Sequence, residues 1–277
     1  MKFVVTGSTG FVGRNTVWNL LNNGYEVISV TTNKSMDKEI LHYIDGSEVL
    51  VIKSLSEIPS NILSGNIILH CAWENVQNIY DNSHFFHTLE QLEFLKKVSV
   101  SDPAKLVVTG TCYEFGNSVG PVSVSSKPMP NTPYGIAKDF VRRVAVKIIS
   151  EDKNIDFTWA RLFYIYGIGQ HKNSIYTQVT EAIKRGDKVF KMSLGEQLFD
   201  YMKISEVVDC LSKIATQYSP SVVHICNGYP TSLRSLVEGI IEESCTSLTL
   251  NLGYYPYREK NSLAIWGAES FDSQLQF

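Results

Sequence analysis

The stretch KFVVTGSTGFVGRNTVWNL, residues 2–20, decides how the chain folds. Its first residues, KFVVT (2–6), are mainly apolar and β-branched, a composition typical of a short buried strand. Gly7, Gly10 and Gly13 follow at three-residue spacing, and apolar residues then recur with helical period until Gly24. A strand, a glycine loop and a helix in direct succession predict a βα unit whose loop backbone can approach a bound anion closely.

The alternation of strands and helices continues over the first 165 residues. Further strands are predicted at 25–30, 47–52, 66–72, 105–110 and 156–163, and helices at 12–23, 83–99 and 132–152. Continuous apolar strands that alternate with helices favour a parallel sheet covered on both faces. The sequence therefore predicts the α/β class: a Rossmann-like doubly wound sheet that binds its ligand at the carboxyl ends of the strands.

After about residue 165 the regular alternation of long strands and helices ends. Helices near 174–185, 205–217 and 231–243 are separated by short strand-like pieces such as SVVHIC (221–226). We predict a dinucleotide-binding domain at 1–165 and a smaller mixed α/β substrate lobe at 166–277. Some elements of this lobe are expected to return to the main sheet.

Composition excludes several classes of function. The 277 residues carry a net charge of −3, which gives no attraction to nucleic acid or to an anionic membrane. The five cysteines form no C-x-x-C pair, so neither a disulfide framework nor a metal site is predicted. No signal peptide and no apolar run of about 18 residues is present, so a cytoplasmic protein is expected.

The glycine loop predicts a dinucleotide site. Glycines allow a tight turn and a close approach to pyrophosphate, and the following helix N-terminus adds N–H donors. A site for NAD commonly ends its second strand in an acid that binds the ribose 2′-hydroxyl, but this strand ends in TTNK (31–34). The hydroxyls, the amide and the cation favour the 2′-phosphate of NADP(H), with Arg14 assisting, while NAD(H) in an acid-free turn stays the alternative. The predicted cofactor-binding residues are Gly7, Thr9, Gly10, Phe11, Val12, Gly13, Thr31, Thr32, Asn33 and Lys34.

Two further motifs follow the glycine loop in a fixed order. They are VVTGT (107–111) and, about 23 residues later, Tyr134 and Lys138 in PYGIAK (133–138). With the loop they resemble the extended short-chain dehydrogenase/reductase family, particularly its nucleotide-sugar enzymes. The resemblance extends to HCAW (70–73), ARLFYIYG (160–167) and PYREK (256–260), and so covers nearly the whole chain.

The resemblance implies roles for particular side chains. Tyr134 would be the general acid/base, Thr111 would hydrogen-bond the reacting oxygen, and Lys138, one helical turn from Tyr134, would supply positive charge. We expect the pKa of Tyr134 to be lowered, because a free phenol titrates near 10. An ordinary aromatic and a solvated lysine are the alternative. The resemblance adds Cys71, Ala72, Trp73, Tyr134 and Lys138 to the cofactor residues, and predicts substrate contacts from Trp73, Thr111, Cys112, Tyr113, Tyr164 and Arg258.

The residues after Thr111 separate the reactions of the family. Its dehydratases follow this position with Asp–Glu, whereas Cys112 and Tyr113 stand here and Glu114 comes one residue late. Dehydration is therefore disfavoured. We predict an NADP(H)-dependent reductase of a nucleotide-linked 4-keto-6-deoxy sugar in deoxysugar or surface-polysaccharide biosynthesis. An NAD-dependent 4-epimerase is the alternative, and a non-catalytic dinucleotide sensor is less favoured because Tyr134 and Lys138 are both present.

Two positions depart from the family pattern. Phe199 stands where the family often has a diphosphate-binding Arg, and Tyr164 stands where it usually has Asn. Arg258, Lys191 or Lys188 could compensate for the missing Arg; the alternative is that the nucleotide lies differently.

Cysteine and histidine side chains near these motifs are further candidates. A nucleophilic role for Cys112 is disfavoured because no His/Asn partner pattern accompanies it. His70 is predicted to be a satisfied core residue, and His84 and His87 to be solvated or to face the substrate. The apolar faces of helices 83–99 and 132–152 could be core, but the resemblance favours a homodimer interface.

Overall fold

One large parallel sheet and several short sheets organise the chain. The computed structural model describes residues 1–32, 38–151, 153, 155–257 and 263–275. Its strands are β1 (Phe3–Thr6), β2 (Val27–Thr31), β3 (Glu48–Val51), β4 (Ile67–His70), β5 (Lys105–Thr111), β6 (Gly120–Val122), β7 (Phe157–Leu162), β8 (Tyr164–Tyr166), β9 (Val189–Lys191), β10 (Leu198–Phe199), β11 (Tyr201–Lys203), β12 (Val222–Ile225), β13 (Thr231–Ser232), β14 (Thr249–Asn251) and β15 (Ala264–Gly267).

Helices connect most of these strands. They are α1 (Phe11–Asn22), α2 (Lys38–Ile44), α3 (Ser60–Leu63), α4 (Ser83–Val98), α5 (Pro133–Ala145), α6 (Ile175–Arg185), α7 (Ile204–Thr216), α8 (Leu233–Glu243) and α9 (Phe271–Gln274). Short 3-10 turns occupy Leu55–Glu57 and Cys112–Phe115, and α5 continues into a π-helical segment, Val146–Glu151. The long helices predicted from periodicity are confirmed, and the strand-like piece predicted at 221–226 is β12, whereas α2 was not predicted.

The main sheet confirms the predicted α/β class. Within the described residues it has seven parallel strands in the order β12-β7-β5-β4-β1-β2-β3. Because β1 lies between β2 and β4, the direction of winding reverses there. Loops after β1 and β4 therefore diverge to opposite sides and leave a crevice at the carboxyl edge, where such sheets bind ligands.

Two hydrophobic layers cover the faces of this sheet. On one face, Val17 and Leu20 of α1 pack with Leu211 of α7 over the apolar residues of β1 and β4. On the other, Phe94 of α4 and Val141 of α5 pack with the alternate strand residues. Burial of both faces explains why the strands read as continuous apolar runs rather than as alternating ones.

The C-terminal part of the chain adds short sheets beside the crevice. These sheets are the parallel pairs β8–β11 and β9–β14 and the four-stranded sheet β13-β10-β15-β6. Helices α6 and α8 pack on a separate hydrophobic cluster. One C-terminal strand, β12, joins the main sheet beside β7. No helix in the described part of the chain combines the length and apolarity needed to cross a membrane.

Candidate active site

The glycine loop joins β1 to α1 with almost no free space around its backbone. Gly7 has a φ of +67°, and a Cβ added there would lie 2.7 Å from the Cα of Ala72. A Cβ on Gly13 would collide with the Gly7 carbonyl. Gly10, the N-cap of α1, has no side chain to accept a hydrogen bond from the first turn, whose N–H groups also lack partners within the helix. Such a turn fits a pyrophosphate, which the same N–H groups would bind.

A cavity of about 190 Å³ opens beside this loop. It brings together most of the predicted cofactor residues from three strand ends: Gly7, Thr9, Gly10, Thr31, Thr32, Cys71, Ala72 and Trp73. The Thr9 and Thr31 hydroxyls are hydrogen-bonded at 3.0 Å, and the half-buried Phe11 and Val12 pack against the core. Arg14 donates to the Gly169 carbonyl and lies 5.0 Å from the centre of the Tyr43 ring. Asn33 and Lys34 lie outside the described residues.

A buried polar chain positions the end of β4 against the loop. The Thr6 hydroxyl contacts His70 Nδ1 at 2.7 Å, and His70 Nε2 contacts Gln91 Oε1 at 2.6 Å. Gln91 in turn donates to the Ala72 carbonyl at 3.4 Å. Burial lowers the pKa of His70 to about 4, so its ring is neutral at pH 7. His70 is thus a satisfied core histidine as predicted, while Gln91, which lines the same cavity, was missed because only the fold brings α4 to β4.

Tyr134 and Lys138 share one face of α5. Thr132 caps this helix by accepting a hydrogen bond from the Gly135 N–H at 3.1 Å, and Pro133 occupies its first position. Lys138 is 3% exposed; its ammonium donates to the Thr109 carbonyl at 3.0 Å and lies 4.1 Å from the centre of the Trp73 ring. Burial lowers the pKa of Lys138 to about 8, against an opposing effect of Glu114. The solvated-lysine alternative is therefore wrong.

Tyr134 does not show the expected lowering of its pKa. Burial raises the pKa of the phenol, and a side-chain hydrogen bond with Thr111 acts in the opposite direction. The sequence placed Lys138 one turn away but could not show that the ring is enclosed by Trp73, His84 and Tyr113, with ring centres 5.1–6.1 Å away. A raised pKa keeps the phenol protonated at pH 7, the form that donates a proton.

The expectation for His84 is wrong. This residue is fully buried, accepts a hydrogen bond from the Trp73 indole N–H at 3.0 Å through Nδ1, and contacts the Asn78 carbonyl at 3.0 Å through Nε2. Its place on the amphipathic helix α4 suggested contact with solvent or substrate, but the loop before α4 covers it. His84 therefore fixes the indole that lies over Lys138. His87 is half-buried, with its Nε2 3.8 Å from a carboxylate oxygen of Glu74.

The turn after β5 uses Glu114 as a structural group. Its carboxylate accepts from the Thr111 N–H at 3.0 Å and from the Trp159 indole at 2.8 Å, and it forms a 2.7 Å ion pair with Arg161. These contacts occupy both oxygens of a fully buried side chain. The neighbouring Cys112 is buried, and burial raises the pKa of its thiol to about 12, so it is not a thiolate nucleophile at pH 7.

Four rings continue from Tyr134 toward the C-terminal part of the chain. We call Tyr113, Tyr164, Phe199 and Tyr201 the aromatic wall. Tyr164 stacks on Phe199 with ring centres 4.1 Å apart and planes 20° apart, and Tyr113 lies 6.2 Å from Tyr164. The two departures from the family pattern are thus in direct contact with each other.

The cations expected to compensate for Phe199 are not placed at the wall by the described contacts. Lys191 lies 4.3 Å from the centre of the Tyr254 ring, and Lys188 is exposed. Arg258 lies outside the described residues. A larger cavity, of about 740 Å³, lies between α1, α7 and the C-terminal helices, away from Tyr134. Its size does not make it the active site, because the Tyr134, Lys138 and Thr111 side chains do not line it.

Comparison with known families decides the class of the protein. The model of the NAD dependent epimerase/dehydratase family matches residues 3–226, from β1 through β12. The chain belongs to this family. The resemblance inferred from the glycine loop, VVTGT and PYGIAK is confirmed, and so is the nicotinamide dinucleotide chemistry that the family carries.

Individual members of the epimerase/dehydratase family are similar along nearly the whole chain. The dTDP-6-deoxy-L-talose 4-dehydrogenase (NAD(+)) of Aggregatibacter actinomycetemcomitans is 31% identical over 97% of this chain and 100% of its own length. The GDP-6-deoxy-D-talose 4-dehydrogenase of the same organism is 21% identical over 88% of this chain and 80% of its own. Among solved structures, a UDP-N-acetylglucosamine 4-epimerase from Methanobrevibacter ruminantium M1 superposes with a TM-score of 0.84 at 20% identity, covering 100% of this chain and 92% of that one, which shows a shared fold.

Proposed function

We propose that this family member interconverts a nucleotide-diphosphate-linked 6-deoxy sugar and its 4-keto form, and that ketone reduction by NADPH is its synthetic direction. The observation that carries the proposal is the hydrogen-bonded pair of Tyr134 and Thr111 beside the buried ammonium of Lys138, next to the glycine-loop cavity. In the names of its two talose relatives, the chemistry is oxidation at C4 of a 6-deoxy sugar. Reduction of a 4-ketone is that same step in reverse.

The residues of the chain divide the work between binding and proton transfer. The glycine loop and the ends of β2 and β4 would hold the cofactor, which would supply or accept the hydride. Tyr134 gives its phenolic proton to the carbonyl oxygen as the ketone becomes a hydroxyl. Thr111 hydrogen-bonds the same oxygen, and Lys138 supplies the positive charge that stabilises the tyrosinate left behind.

The state of each group suits the reductive direction. The raised pKa of Tyr134 keeps it a proton donor at pH 7, and a pKa of about 8 keeps most of Lys138 protonated. Glu114 has both oxygens engaged by Thr111, Trp159 and Arg161, which leaves no free carboxylate there for an elimination. The engagement of Glu114 supports oxidoreduction over dehydration.

The preference for NADP(H) rests on the end of β2. Thr31 and Thr32 line the cavity where an NAD site commonly has an acid, and Lys34 follows in the sequence. One relative carries NAD(+) in its name, so the preference has to be measured on this chain. We expect Lys34→Ala to weaken the binding of NADPH more than that of NADH, because only NADPH carries the 2′-phosphate.

Consumption of the reduced cofactor tests the proposal. NADPH and NADH are each followed with dTDP-, GDP- and CDP-linked 4-keto-6-deoxy sugars, which also identifies the base. Tyr134→Phe should lower kcat by at least about 100-fold, the usual contribution of a positioned acid, while cofactor binding persists. Unchanged turnover in this variant would refute the acid role. No consumption with any sugar, together with NAD released on denaturation, would favour a 4-epimerase.

We also propose that the protein is a homodimer through α4 and α5. These helices pack on each other yet leave large apolar side chains on their outer surface: Phe85, Phe86, Leu89, Ile136 and Phe140. Leu89 and Phe86 are 64% and 73% exposed, which is costly for a monomer. Light scattering should give a dimer for the native chain and a monomer for Leu89→Glu; a native monomer would refute the interface.

In this proposal residues 1–165 hold the cofactor, and residues 166–277 supply most of the substrate contacts.

A further inference from the structure

The aromatic wall lies on the substrate side of Tyr134. Tyr134 contacts Trp73, which lines the glycine-loop cavity, and it also contacts Tyr113, the first ring of the wall. The cavity is assigned to the cofactor, and Tyr134 must reach the C4 oxygen of the sugar. The groups attached next to C4 therefore meet the rings that continue from Tyr134: Tyr113, Tyr164, Phe199 and Tyr201.

We propose that the aromatic wall receives the C6 methyl group of the sugar and selects it against a C6 hydroxymethyl group. The inference rests on the proposed function and specifies its substrate. C6 is bonded to C5, the neighbour of the reacting carbon, so it lies two bonds from C4 and cannot be far from Tyr134.

The surface of the wall suits a methyl group. Phe199 has no polar atom in its side chain, and it is stacked face to face with Tyr164. The hydroxyl of Tyr164 is hydrogen-bonded to that of Tyr113, so the polar ends of these two rings lie together and the ring faces form the apolar part of the wall. Burial raises the pKa of both Tyr164 and Tyr201, which keeps these rings neutral. A methyl group gains contact with the ring faces, whereas a hydroxyl placed against those faces loses water without a hydrogen-bond partner on them.

The wall is held in place by the backbone beneath it. Parallel pairing of β8 with β11 sets Tyr164 opposite Tyr201, and Phe199 lies two residues before Tyr201 on the same side of the chain. Between them, fully buried Asp200 accepts backbone N–H bonds from Asn227 and Gly228 at 2.7 and 2.9 Å. This anchor fixes the strand that carries two of the four rings. The wall is therefore formed before the sugar binds.

The test uses two nucleotide sugars that differ only at C6. The probes are dTDP-6-deoxytalose and dTDP-talose of the same series, with kcat/KM for oxidation and the dissociation constant both measured. For the native chain we expect a preference of about 10- to 100-fold for the 6-deoxy sugar, the range that apolar pockets achieve against an added hydroxyl. A native ratio near one would overturn the inference.

Variants locate the preference on the wall. Tyr164→Asn and, as an independent second variant, Phe199→Gln place an amide at the wall and should bring the ratio to within a few-fold of one. Tyr164→Phe keeps the ring and should keep the ratio. Tyr166→Asn is the matched control, because Tyr166 lies on the same strand but packs against Tyr176, and it should also keep the ratio. A preference retained in both amide variants would overturn the role of the wall.

Binding and turnover separate this inference from the function on which it rests. If neither sugar is oxidised but the 6-deoxy sugar binds more tightly and the amide variants remove that difference, the inference about the aromatic wall is supported and the oxidoreductase proposal fails. If both sugars are oxidised and bound equally well, the oxidoreductase proposal is supported and the inference about the aromatic wall is refuted.

Discussion

Replacing Glu114 by Gln should destabilise the protein strongly, although the two side chains have nearly the same shape. Glu114 is fully buried and its Oε2 lies 2.7 Å from the Nε of Arg161, which is 2% exposed. A glutamine can still accept from the Thr111 N–H and the Trp159 indole through its carbonyl oxygen. What it cannot do is neutralise the buried guanidinium.

The magnitude follows from the neighbours that Arg161 keeps. His224 lies 3.3 Å away, and burial and Arg161 itself lower the pKa of that histidine to about 3, so its ring is neutral and does not balance the charge of the guanidinium. Breaking a buried ion pair from one side costs about 3 to 5 kcal/mol, because the remaining charge is left in a medium of low polarity. At roughly 2 °C per kcal/mol for a chain of this length, the melting temperature should fall by about 6 to 10 °C.

Urea and thermal unfolding of the native chain and the variant measure the loss. The matched control is Glu238→Gln, which removes the same charge from a 2.7 Å pair with Arg234 whose side chains are both about half exposed. That change should cost less than about 1 kcal/mol, because water screens a surface pair. Equal losses for the two variants would refute the argument. The double replacement Glu114→Gln with Arg161→Met should recover part of the loss, because it removes the unpaired charge.

Two further predictions concern the cofactor loop and the buried lysine. Gly13→Ala should abolish measurable cofactor binding, because the added Cβ would collide with the Gly7 carbonyl. The control is Gly239→Ala, at a helical site with open space around it, which should bind the cofactor normally and be more stable by about 0.5 to 1 kcal/mol. Equal cofactor affinity in the two variants would contradict this prediction. The second prediction is a pH dependence of stability at Lys138, whose pKa is about 8 in the folded chain and 10.5 in the reference state. Between these values the unfolded chain binds more protons, so stability rises with pH there, and the stability advantage of Lys138→Met over the native chain should shrink by about 2 kcal/mol between pH 7.5 and pH 10. Unfolding in urea at pH 7.5 and pH 10 checks this, and an advantage that does not change with pH would contradict it.

Local patterns predicted much of the fold because they depend on neighbours in sequence. The three glycines of the loop, the continuous apolar strands and the spacing of Tyr134 and Lys138 each reflect steric or periodic requirements within one or two turns of backbone. The same local reasoning misjudged two groups. It expected His84 to be solvated or to face the substrate and the pKa of Tyr134 to be lowered, and both depend on which elements cover the residue.

The sequence by itself determined the βα units, the glycine loop and the Tyr–Lys helix, because close backbone approach and helical spacing depend on residues that are near each other in the chain. Only the tertiary structure decided what those groups meet. Parallel pairing brought Tyr164 beside Tyr201 and onto Phe199, and packing of β5 against β7 placed Glu114 against Arg161, 47 residues away in the chain. Burial then set the protonation of Tyr134 and Lys138, because the cost of desolvating a charge depends on the atoms around it and not on the order of residues.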